Sequence, residues 1–144
     1  SGKTYVLNKI KEFLQIHSLE KCLQTTSTTG MSTLLINGTT WQSYLGYTPK
    51  RGFKNINVTT YKYGPLRLIV IDEISMASLS TVDDINTYLQ NLKGDKETPF
   101  GNVIVIFTGD FFQNPPCGSL AFFANLTYNS KATPKSFSGK ALLE

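Results

Sequence analysis

The sequence predicts an α/β fold in which helices cover both faces of a mostly parallel β-sheet. Two apolar runs rich in β-branched residues, Leu68–Ile71 and Val103–Phe107, are unbroken, as is usual for central strands of such a sheet. Apolar residues at helical spacing lie between the two runs, from Leu79 to Leu92. Polar residues follow each run, at the edge of the sheet where α/β proteins bind their ligands.

Length and composition are those of one folded domain. The chain has 144 residues, of which 40% are hydrophobic and 17% charged. It contains no apolar run of transmembrane length and no signal-peptide pattern at its start, so we expect an intracellular protein without a membrane partner. It also lacks an initiator methionine and opens inside a motif, and we therefore expect a fragment of a longer protein.

Charge and reactive side chains narrow the class of partner. A net charge of +4 and a pI near 9.1 favour an anionic partner. Cys22 and Cys117 are too few for a disulfide framework and lack the spacing of zinc ligands, so we expect reduced thiols. His17 is the only histidine; it builds neither a metal site nor a catalytic triad and is expected on the surface near a helix end.

The first predicted element is a helix that opens on a phosphate-binding pattern. Apolar residues recur at helical spacing from Tyr5 to Ile16, directly after Ser1-Gly2-Lys3-Thr4. Gly-Lys-Thr at the start of a helix is the closing half of a P-loop, although so short a match also arises by chance. In a P-loop, backbone N–H groups hold phosphates, the lysine reaches the outer phosphates and the threonine hydroxyl binds magnesium.

Hydroxyl-rich residues follow the next predicted strand, Cys22–Thr25. We interpret Thr26–Gly30 as a loop, and we expect a helix from about Met31 to Ile36, ending at Asn37-Gly38. Serine and threonine hydroxyls at a strand-to-helix turn can bond the phosphates of a nucleic-acid backbone, or they can simply cap the helix. The pattern leaves both alternatives open.

Periodicity is lost from Gly46 to Gly64, directly after a short predicted helix. Residues 39–45 predict a short helix whose aromatic side chains pack in the core. Beyond Gly46, basic and aromatic residues alternate, which fits either a track for single-stranded nucleic acid or a solvated hairpin. The alternating residues are Tyr47, Lys50, Arg51, Phe53, Lys54, Tyr61, Lys62 and Tyr63.

Both central strands end in residues suited to phosphate chemistry. Asp72 and Glu73 follow the first strand; one carboxylate can anchor magnesium and the other can orient water, although an ordinary charged turn would look the same. The second strand, interpreted as the buried segment 102–108, leads to Gly109-Asp110-Phe111-Phe112-Gln113, whose glutamine could touch a terminal phosphate.

The remaining segments carry structural signals only. Between the two central strands, Gly94 should end the helix and residues 98–101 should form a turn. Residues 119–144 carry two apolar patches and no chemical motif.

Three motifs, in this order, resemble the first motor domain of superfamily-one 5′-to-3′ DNA helicases of the petite-integration-frequency family. They are Gly2-Lys3-Thr4, Asp72-Glu73-Ile74-Ser75-Met76 and Gly109-Asp110-Phe111-Phe112-Gln113-Asn114-Pro115-Pro116, with weaker similarity at Thr28–Ser32 and Gly38–Tyr44. The resemblance covers residues 1–118. It implies that residues 1–144 are a partial RecA-like P-loop NTPase domain, a three-layer α/β sandwich without its N-terminal strand, and that the second motor domain is absent from this sequence.

The resemblance also implies an activity: an ATP-dependent DNA helicase motor that couples Mg-ATP hydrolysis to translocation on single-stranded DNA and to duplex unwinding. Lys3 would neutralise the β- and γ-phosphates, Thr4 and Asp72 would hold Mg²⁺, Glu73 would position the attacking water and Gln113 would sense the γ-phosphate. Ser1 and Gly2 complete the expected nucleotide site, and Thr29, Gly30 and Thr40 are the candidate DNA contacts. The implied partners are single-stranded DNA, DNA forks and the second RecA-like domain of the parent chain, without which the fragment should be almost inactive.

The sequence departs from the family pattern at three places. Gln42 stands at the usual histidine, Asn114 stands at the usual leucine, and the first P-loop glycine is missing.

Two alternative functions stay open. The protein could be a catalytically inactive nucleic-acid-binding remnant of a mobile element, or a DNA-stimulated ATPase that does not unwind duplexes. A RecD-type nuclease subunit belongs to the same motor class, but Phe-Phe-Gln disfavours it. The resemblance implies a nuclear or mitochondrial protein in a eukaryote, or otherwise one of the cytoplasm or a viral replication site, with roles in DNA repair, recombination or telomere maintenance.

Overall fold

The computed structural model describes residues 2–48, 52–53, 63–110, 121 and 132–144. Its strands are β1 (Leu23–Ser27), β2 (Thr39–Thr40), β3 (Tyr47–Thr48), β4 (Gly52–Phe53), β5 (Leu68–Asp72) and β6 (Ile104–Phe107). Its α-helices are α1 (Gly2–Ile16), α2 (Gly30–Ile36), α3 (Trp41–Leu45), α4 (Leu79–Lys93) and α5 (Pro134–Ala141). Four strands form a parallel sheet in the order β2-β1-β5-β6, and β3 pairs with β4 as a small antiparallel ribbon.

The central strand β5 separates two hydrophobic layers, as the unbroken apolar run predicts. Val70 is fully buried on one face, where it meets Leu7 of α1 and Ile36 of α2. Ile69 and Ile71 are fully buried in the larger cluster, which contains the apolar residues of α4. Successive side chains of a strand point to opposite faces, so this division shows helices on both sides of the sheet. The predicted three-layer α/β architecture is confirmed.

Helix α4 forms where its apolar spacing predicts it. Its buried residues cover the face of β5 that carries Ile69 and Ile71. They include Leu79, Val82, Ile85, Leu89 and Leu92. Ser78 caps the helix start by accepting a hydrogen bond from the Thr81 backbone N–H, and Gly94 ends the helix in the left-handed region with φ of 69°.

The opposite layer is thinner and leaves more apolar surface in solvent. Lys11 of α1 donates to the Ile36 carbonyl oxygen at 2.8 Å and so ties α1 to the end of α2. Leu7 is the buried residue of α1, and several of its other apolar side chains are exposed. His17 lies just beyond the helix and is exposed, as predicted. No helix among the described residues combines the length and apolarity needed to span a membrane.

The predicted boundaries of the first strand are wrong. The strand runs from Leu23 to Ser27, and Thr26 and Ser27, which we assigned to a loop, are completely buried. The hydroxyl of Thr26 donates to the Val70 carbonyl at 2.9 Å, and that of Ser27 donates to the Asp72 carbonyl at 3.2 Å. A buried hydroxyl that is hydrogen-bonded to neighbouring backbone costs little, so polar residue types did not mark a loop here.

Two further expectations need correction. The second central strand is not fully buried: it spans Ile104–Phe107, and Ile104 is 65% exposed because β6 is the outermost strand of the described sheet. The predicted helix over residues 39–45 begins only at Trp41, since Thr39 and Thr40 pair with β1 as β2. The aromatic residues of this region do pack in the core: Trp41 is buried and contacts the rings of Tyr47 and Tyr88.

The last apolar patch forms α5, which packs closely on the start of α4. A Cβ atom placed on Gly139 would lie 1.9 Å from the Leu79 carbonyl oxygen, so only glycine permits this approach. Lys135 pairs with Asp84 at 2.5 Å on the same interface. The sequence patch at residues 137–143 gave no sign of this contact, because the glycine that makes it possible carries no hydrophobic signal.

Candidate nucleotide site at the carboxyl edge of the sheet

The parallel strands bring the predicted site residues to one edge of the sheet. Ser27, at the end of β1, stands in register with Asp72, at the end of β5, and with Thr40, at the end of β2. Ile71 is paired with Phe107, so Thr108 continues β6 to the same edge. The carboxyl ends of all four strands therefore meet on the side of an α/β sheet where ligands bind.

Lys3 reaches both acidic residues at this edge. Its Nζ lies 3.4 Å from Glu73 Oε1 and 3.9 Å from Asp72 Oδ1, although 70 residues separate it from Glu73 in the chain. Leu7, one turn further along α1, is buried against Val70 and holds this helix on the sheet. The predicted meeting of the Gly-Lys-Thr helix with the Asp-Glu strand end is present in the fold.

At this site one lysine, Lys3, faces two carboxylates, those of Asp72 and Glu73, at long distances. The N-terminal end of α1 carries the positive end of the helix dipole, so Lys3 is disfavoured there unless anions lie close by. Asp72 and Glu73 are adjacent like charges and repel each other unless a cation lies between them. Both contacts of Lys3 are longer than the 2.7–2.9 Å typical of a charge-assisted hydrogen bond. Such a lysine can exchange carboxylate for another anion, and phosphate is one of the anions that a helix N-terminus binds.

The Asp72 carboxylate is held in a fixed orientation. Its Oδ1 accepts a hydrogen bond from the Thr108 hydroxyl at 2.6 Å and another from the Glu73 backbone N–H at 2.9 Å. Its Oδ2 has no hydrogen-bond donor among the described residues and remains available to a cation. The side chain is 12% exposed, enough for a ligand at the edge to reach it.

Glu73 occupies an uncommon backbone conformation. Its φ of 59° and ψ of 35° lie in the left-handed region, which costs a non-glycine residue about 1–2 kcal/mol. Neighbouring strand ends hold it there. The Thr28 hydroxyl donates to the Glu73 carbonyl at 2.8 Å, and the Ile74 N–H donates to the Thr108 carbonyl at 3.0 Å. The strained turn aims the glutamate side chain over the edge, next to Lys3.

Thr28 and Thr108 are site residues that the sequence did not single out. Thr28 also donates its backbone N–H to the Asp72 carbonyl at 3.1 Å, so it supports both acidic residues. Thr108 could have been found, because it ends the second apolar strand and parallel register places it beside Asp72. Thr28 was hidden among neighbouring hydroxyl residues whose roles differ.

The remaining predicted residues divide into three groups. Gly2 begins α1, and Thr4 lies exposed in its first turn, beside Lys3. Thr29 and Thr40 accept hydrogen bonds from the backbone N–H groups of Ser32 at 3.3 Å and Ser43 at 3.2 Å, so both cap short helices at the site edge; Gly30 is the first residue of α2. Their contact with DNA stays a prediction.

The last group lies outside the described residues. It consists of Ser1, Gln113 and the basic residues Lys50, Arg51, Lys54 and Lys62.

The donor set at this edge fits magnesium. No group of three or more histidine, cysteine, aspartate or glutamate side chains in the described part of the chain could form a metal cage. Magnesium needs none, because it keeps several waters and is bound through one or two carboxylates together with substrate phosphates. The hydroxyl of Thr4 and the Oδ2 atom of Asp72 are hard oxygen donors of the required kind.

Comparison with known proteins identifies the family. The sequence profile of PIF1-like helicases matches residues 1–125. The chain belongs to the PIF1-like helicase family. It is 34% identical over 127 residues to an ATP-dependent DNA helicase Pif1 of Psychrobacter, covering 83% of this chain and 19% of that protein. The chain therefore spans about a fifth of the length of this relative.

Solved structures of the PIF1-like family share the fold. A Bacteroides Pif1 bound to single-stranded DNA superposes with a TM-score of 0.63 at 32% identity, over 80% of this chain and 27% of that one. A Bacteroides Pif1 in complex with ADP and aluminium tetrafluoride gives a TM-score of 0.63 at 31% identity, over 81% of this chain and 27% of that one. The RecA-like fold expected from the sequence is confirmed.

Proposed function

We propose that this chain is the nucleotide-binding part of an ATP-dependent DNA helicase, which hydrolyses Mg-ATP to move along single-stranded DNA and to unwind duplexes. The observation that carries the proposal is the position of Lys3, within 4 Å of both Asp72 and Glu73 at the carboxyl edge of the sheet. The proposal concerns the whole protein. The chain alone should be almost inactive, because the second RecA-like domain would supply the other wall of the site.

Lys3 and the start of α1 would bind the phosphates. The first N–H groups of a helix have no partner within the helix, and together with the helix dipole they favour an anion at this position. An arriving triphosphate would draw the Lys3 ammonium away from the two carboxylates and onto the β- and γ-phosphate oxygens. Lys3 would then neutralise charge on the group being transferred, which is the largest catalytic contribution in reactions of this kind.

Asp72 and Thr4 would hold the metal ion. Thr108 and the Glu73 backbone already fix the Asp72 carboxylate through Oδ1, so its Oδ2 would face the ion without a search through rotamers. A bound Mg²⁺ supplies charge neutralisation at the phosphates and orients them. Loss of the orienting hydroxyl of Thr108 should therefore weaken the site without removing a ligand.

Glu73 would position the attacking water. Its side chain is 19% exposed and its backbone is fixed by Thr28, so the carboxylate can accept a hydrogen bond from a water in line with the γ-phosphate. Gln113, which the family resemblance assigns to γ-phosphate sensing, would pass the state of the nucleotide to the DNA track. No covalent intermediate is needed, since positioning and electrostatic stabilisation suffice.

Single-stranded DNA would run past the ends of β1 and β2. The DNA-bound Bacteroides relative supports this partner, and Thr29, Gly30 and Thr40 lie beside the carboxyl ends of β1 and β2 in the present sheet. Phosphate contacts of this kind are independent of sequence, so DNA binding should weaken steeply with salt. Forked DNA, and roles in repair, recombination or telomere maintenance, remain proposals for the whole protein, as does its cellular location.

The test is ATP hydrolysis by the whole protein, with and without single-stranded DNA, beside the variants Glu73→Gln and Glu97→Gln. Glu97 is an exposed glutamate far from the site edge and serves as the matched control. We expect DNA to stimulate hydrolysis in the wild type and in Glu97→Gln, and we expect Glu73→Gln to lower the rate at least about 100-fold. Negligible turnover in every protein would contradict the proposal and favour a nucleic-acid-binding remnant. Hydrolysis without strand displacement would favour an ATPase that does not unwind.

A further inference from the structure

The turn that follows Glu73 buries a hydroxyl group without a partner. Ser75 lies in the 3-10 turn Ile74–Met76 and is only 5% exposed. Its Oγ is buried and has no hydrogen-bond partner in the described part of the chain. A buried polar atom of this kind is uncommon in folded proteins and calls for an explanation.

Other buried hydroxyls near this edge are satisfied. Thr26 and Ser27 donate to carbonyls of β5, and Ser78 accepts the Thr81 N–H at the start of α4. An alanine at position 75 would remove the unpaired group without losing a hydrogen bond, so stability in this conformation favours alanine over serine. Among the described residues, the Ser75 hydroxyl therefore contributes no stabilising hydrogen bond.

The strand end that leads to Gln113 lies directly against Ser75. A Cβ atom on Gly109 would stand 3.0 Å from the Ser75 backbone nitrogen and 3.2 Å from that of Ile74, so glycine lets the two segments touch. The Ile74 N–H donates to the Thr108 carbonyl at 3.0 Å just before this contact. The neighbouring Glu73 holds a left-handed backbone conformation with φ of 59°. Two unfavourable features, a strained residue and an unpaired hydroxyl, thus occur within one short turn.

We propose that Ser75 is a positioning residue that couples the Asp72–Glu73 turn to the segment after β6. Its hydroxyl gains a hydrogen bond to the backbone of Gly109 or Asp110 when a γ-phosphate engages the site, and this bond links the glutamate turn to the end of β6. The proposal rests on the proposed ATPase function. In this proposal Ser75 is too buried to contact nucleotide or DNA. It instead signals to the end of β6 whether a γ-phosphate is bound.

The experiment compares Ser75→Ala, Ser75→Cys and Ser78→Ala with the wild-type whole protein. Ser75→Cys keeps a side chain of similar size but hydrogen-bonds weakly, so it separates loss of the hydrogen bond from loss of volume. Ser78→Ala removes a buried serine three residues away that caps α4, and it is the matched structural control. Melting temperature, the KM for ATP, and kcat with saturating single-stranded DNA are measured for each protein.

We expect both Ser75 variants to melt no lower than the wild type and to keep its KM within about twofold, while DNA-stimulated kcat falls about two- to tenfold, the effect of one hydrogen bond. Ser78→Ala should melt at a lower temperature and keep its kcat. Wild-type kcat in either Ser75 variant, or a lower melting temperature of Ser75→Ala, would overturn the proposal. Absence of hydrolysis in the wild type would instead overturn the proposed function, and the coupling role with it.

Discussion

Two lysines at opposite ends of β5 make contrasting contacts. Lys3, in the first turn of α1, faces the carboxylates of Asp72 and Glu73 beyond the carboxyl end of the strand. Lys93, in the last turn of α4, donates to three backbone carbonyls before the amino end of the strand. These carbonyls belong to Tyr63 at 3.3 Å, Gly64 at 3.0 Å and Leu66 at 3.1 Å.

The two lysines differ in whether a ligand can replace the groups that they contact. A helix C-terminus favours a cation, and neutral carbonyls that belong to the fold cannot leave, so Lys93 is a fixed clamp. Burial, with the nearby Arg67 guanidinium, holds the pKa of Lys93 below its usual value. Lys3 sits at the N-terminal end of a helix, which disfavours cations, and its long contacts to the Asp72 and Glu73 carboxylates can be replaced by contacts to phosphate. One end of the strand is built for exchange and the other for rigidity.

The largest effect that would sharpen this comparison comes from Asp72→Asn. If Asp72 binds the metal as proposed, loss of its charge should lower ATP hydrolysis by about 100- to 1,000-fold, because the phosphates would lose their neutralising ion. Asp95→Asn is the control at the opposite end, where the Asp95 carboxylate accepts the backbone N–H groups of Glu97 at 3.1 Å and Thr98 at 3.0 Å. It should keep wild-type turnover. Turnover is measured at saturating ATP and DNA. Equal rates for Asp72→Asn and Asp95→Asn would show that the carboxyl end of β5 is no more important for hydrolysis than the amino end.

Alkaline pH should lower the stability of the fold through its buried tyrosines. Burial raises the pKa of Tyr88 and of Tyr44 to about 12 and also raises the pKa of Tyr63. The folded state therefore keeps these protons after the unfolded chain begins to lose them near pH 10, so the stability they confer is complete below pH 10 and disappears as pH approaches 12. For fully buried Tyr88 the loss is about 3 kcal/mol, and half-buried Tyr44 contributes less.

Urea unfolding at a series of pH values from 9 to 12 measures this loss. Lys93 acts in the opposite sense, because its lowered pKa makes the folded state release a proton first and stability rise toward pH 10.5. A flat stability profile above pH 10 would contradict the tyrosine account. Tyr88→Phe, which has no proton to lose, should reduce the slope.

Lys93→Met should weaken the fold by about 2 kcal/mol without changing turnover per folded molecule. The cost is the loss of hydrogen bonds from a charged donor, moderated because Arg67 also donates to the carbonyls of Gly64 and Leu66. Unfolding in urea gives the stability, and ATP hydrolysis at low temperature gives the turnover. A normal free energy of unfolding would show that the clamp contributes nothing.

Thr108→Val should produce the smallest effect, about fivefold in ATP hydrolysis. The valine has nearly the same shape but cannot donate to Asp72 Oδ1, so the carboxylate loses one of its two orienting hydrogen bonds, worth about 1 kcal/mol. Thr108→Ser, which keeps the hydroxyl, should restore most of the rate. If both variants behave alike, the hydroxyl does not position Asp72.

The sequence predicted the parts of this architecture that depend on long regular patterns. The apolar run at 68–71 and the spacing from Leu79 to Leu92 gave β5 and α4, and strand ends in a parallel sheet placed Asp72 and Glu73 at a ligand edge. The meeting of Lys3 with these acids followed from the family resemblance rather than from spacing. Here the residues and the motif order pointed to the same site.

Features that depend on tertiary contact could not be predicted. Thr26 and Ser27 looked like loop residues because residue type cannot show that a neighbouring strand will accept their hydroxyls. The docking of α5 depends on Gly139, whose missing side chain is visible only once Leu79 lies opposite it. The left-handed backbone of Glu73 is likewise imposed by hydrogen bonds from Thr28 and around Thr108, not by its own preference.

The most direct test of the contrast between the two ends is nucleotide binding by Lys3→Met and Lys93→Met. A non-hydrolysable ATP analogue with Mg²⁺ is titrated into the whole protein and each variant under conditions where all are folded. We expect Lys3→Met to bind at least about thirtyfold more weakly, as loss of one partner from a close charge pair implies, and Lys93→Met to bind as the wild type does. Equal affinity in all three proteins would contradict the assignment of the carboxyl edge as the nucleotide site.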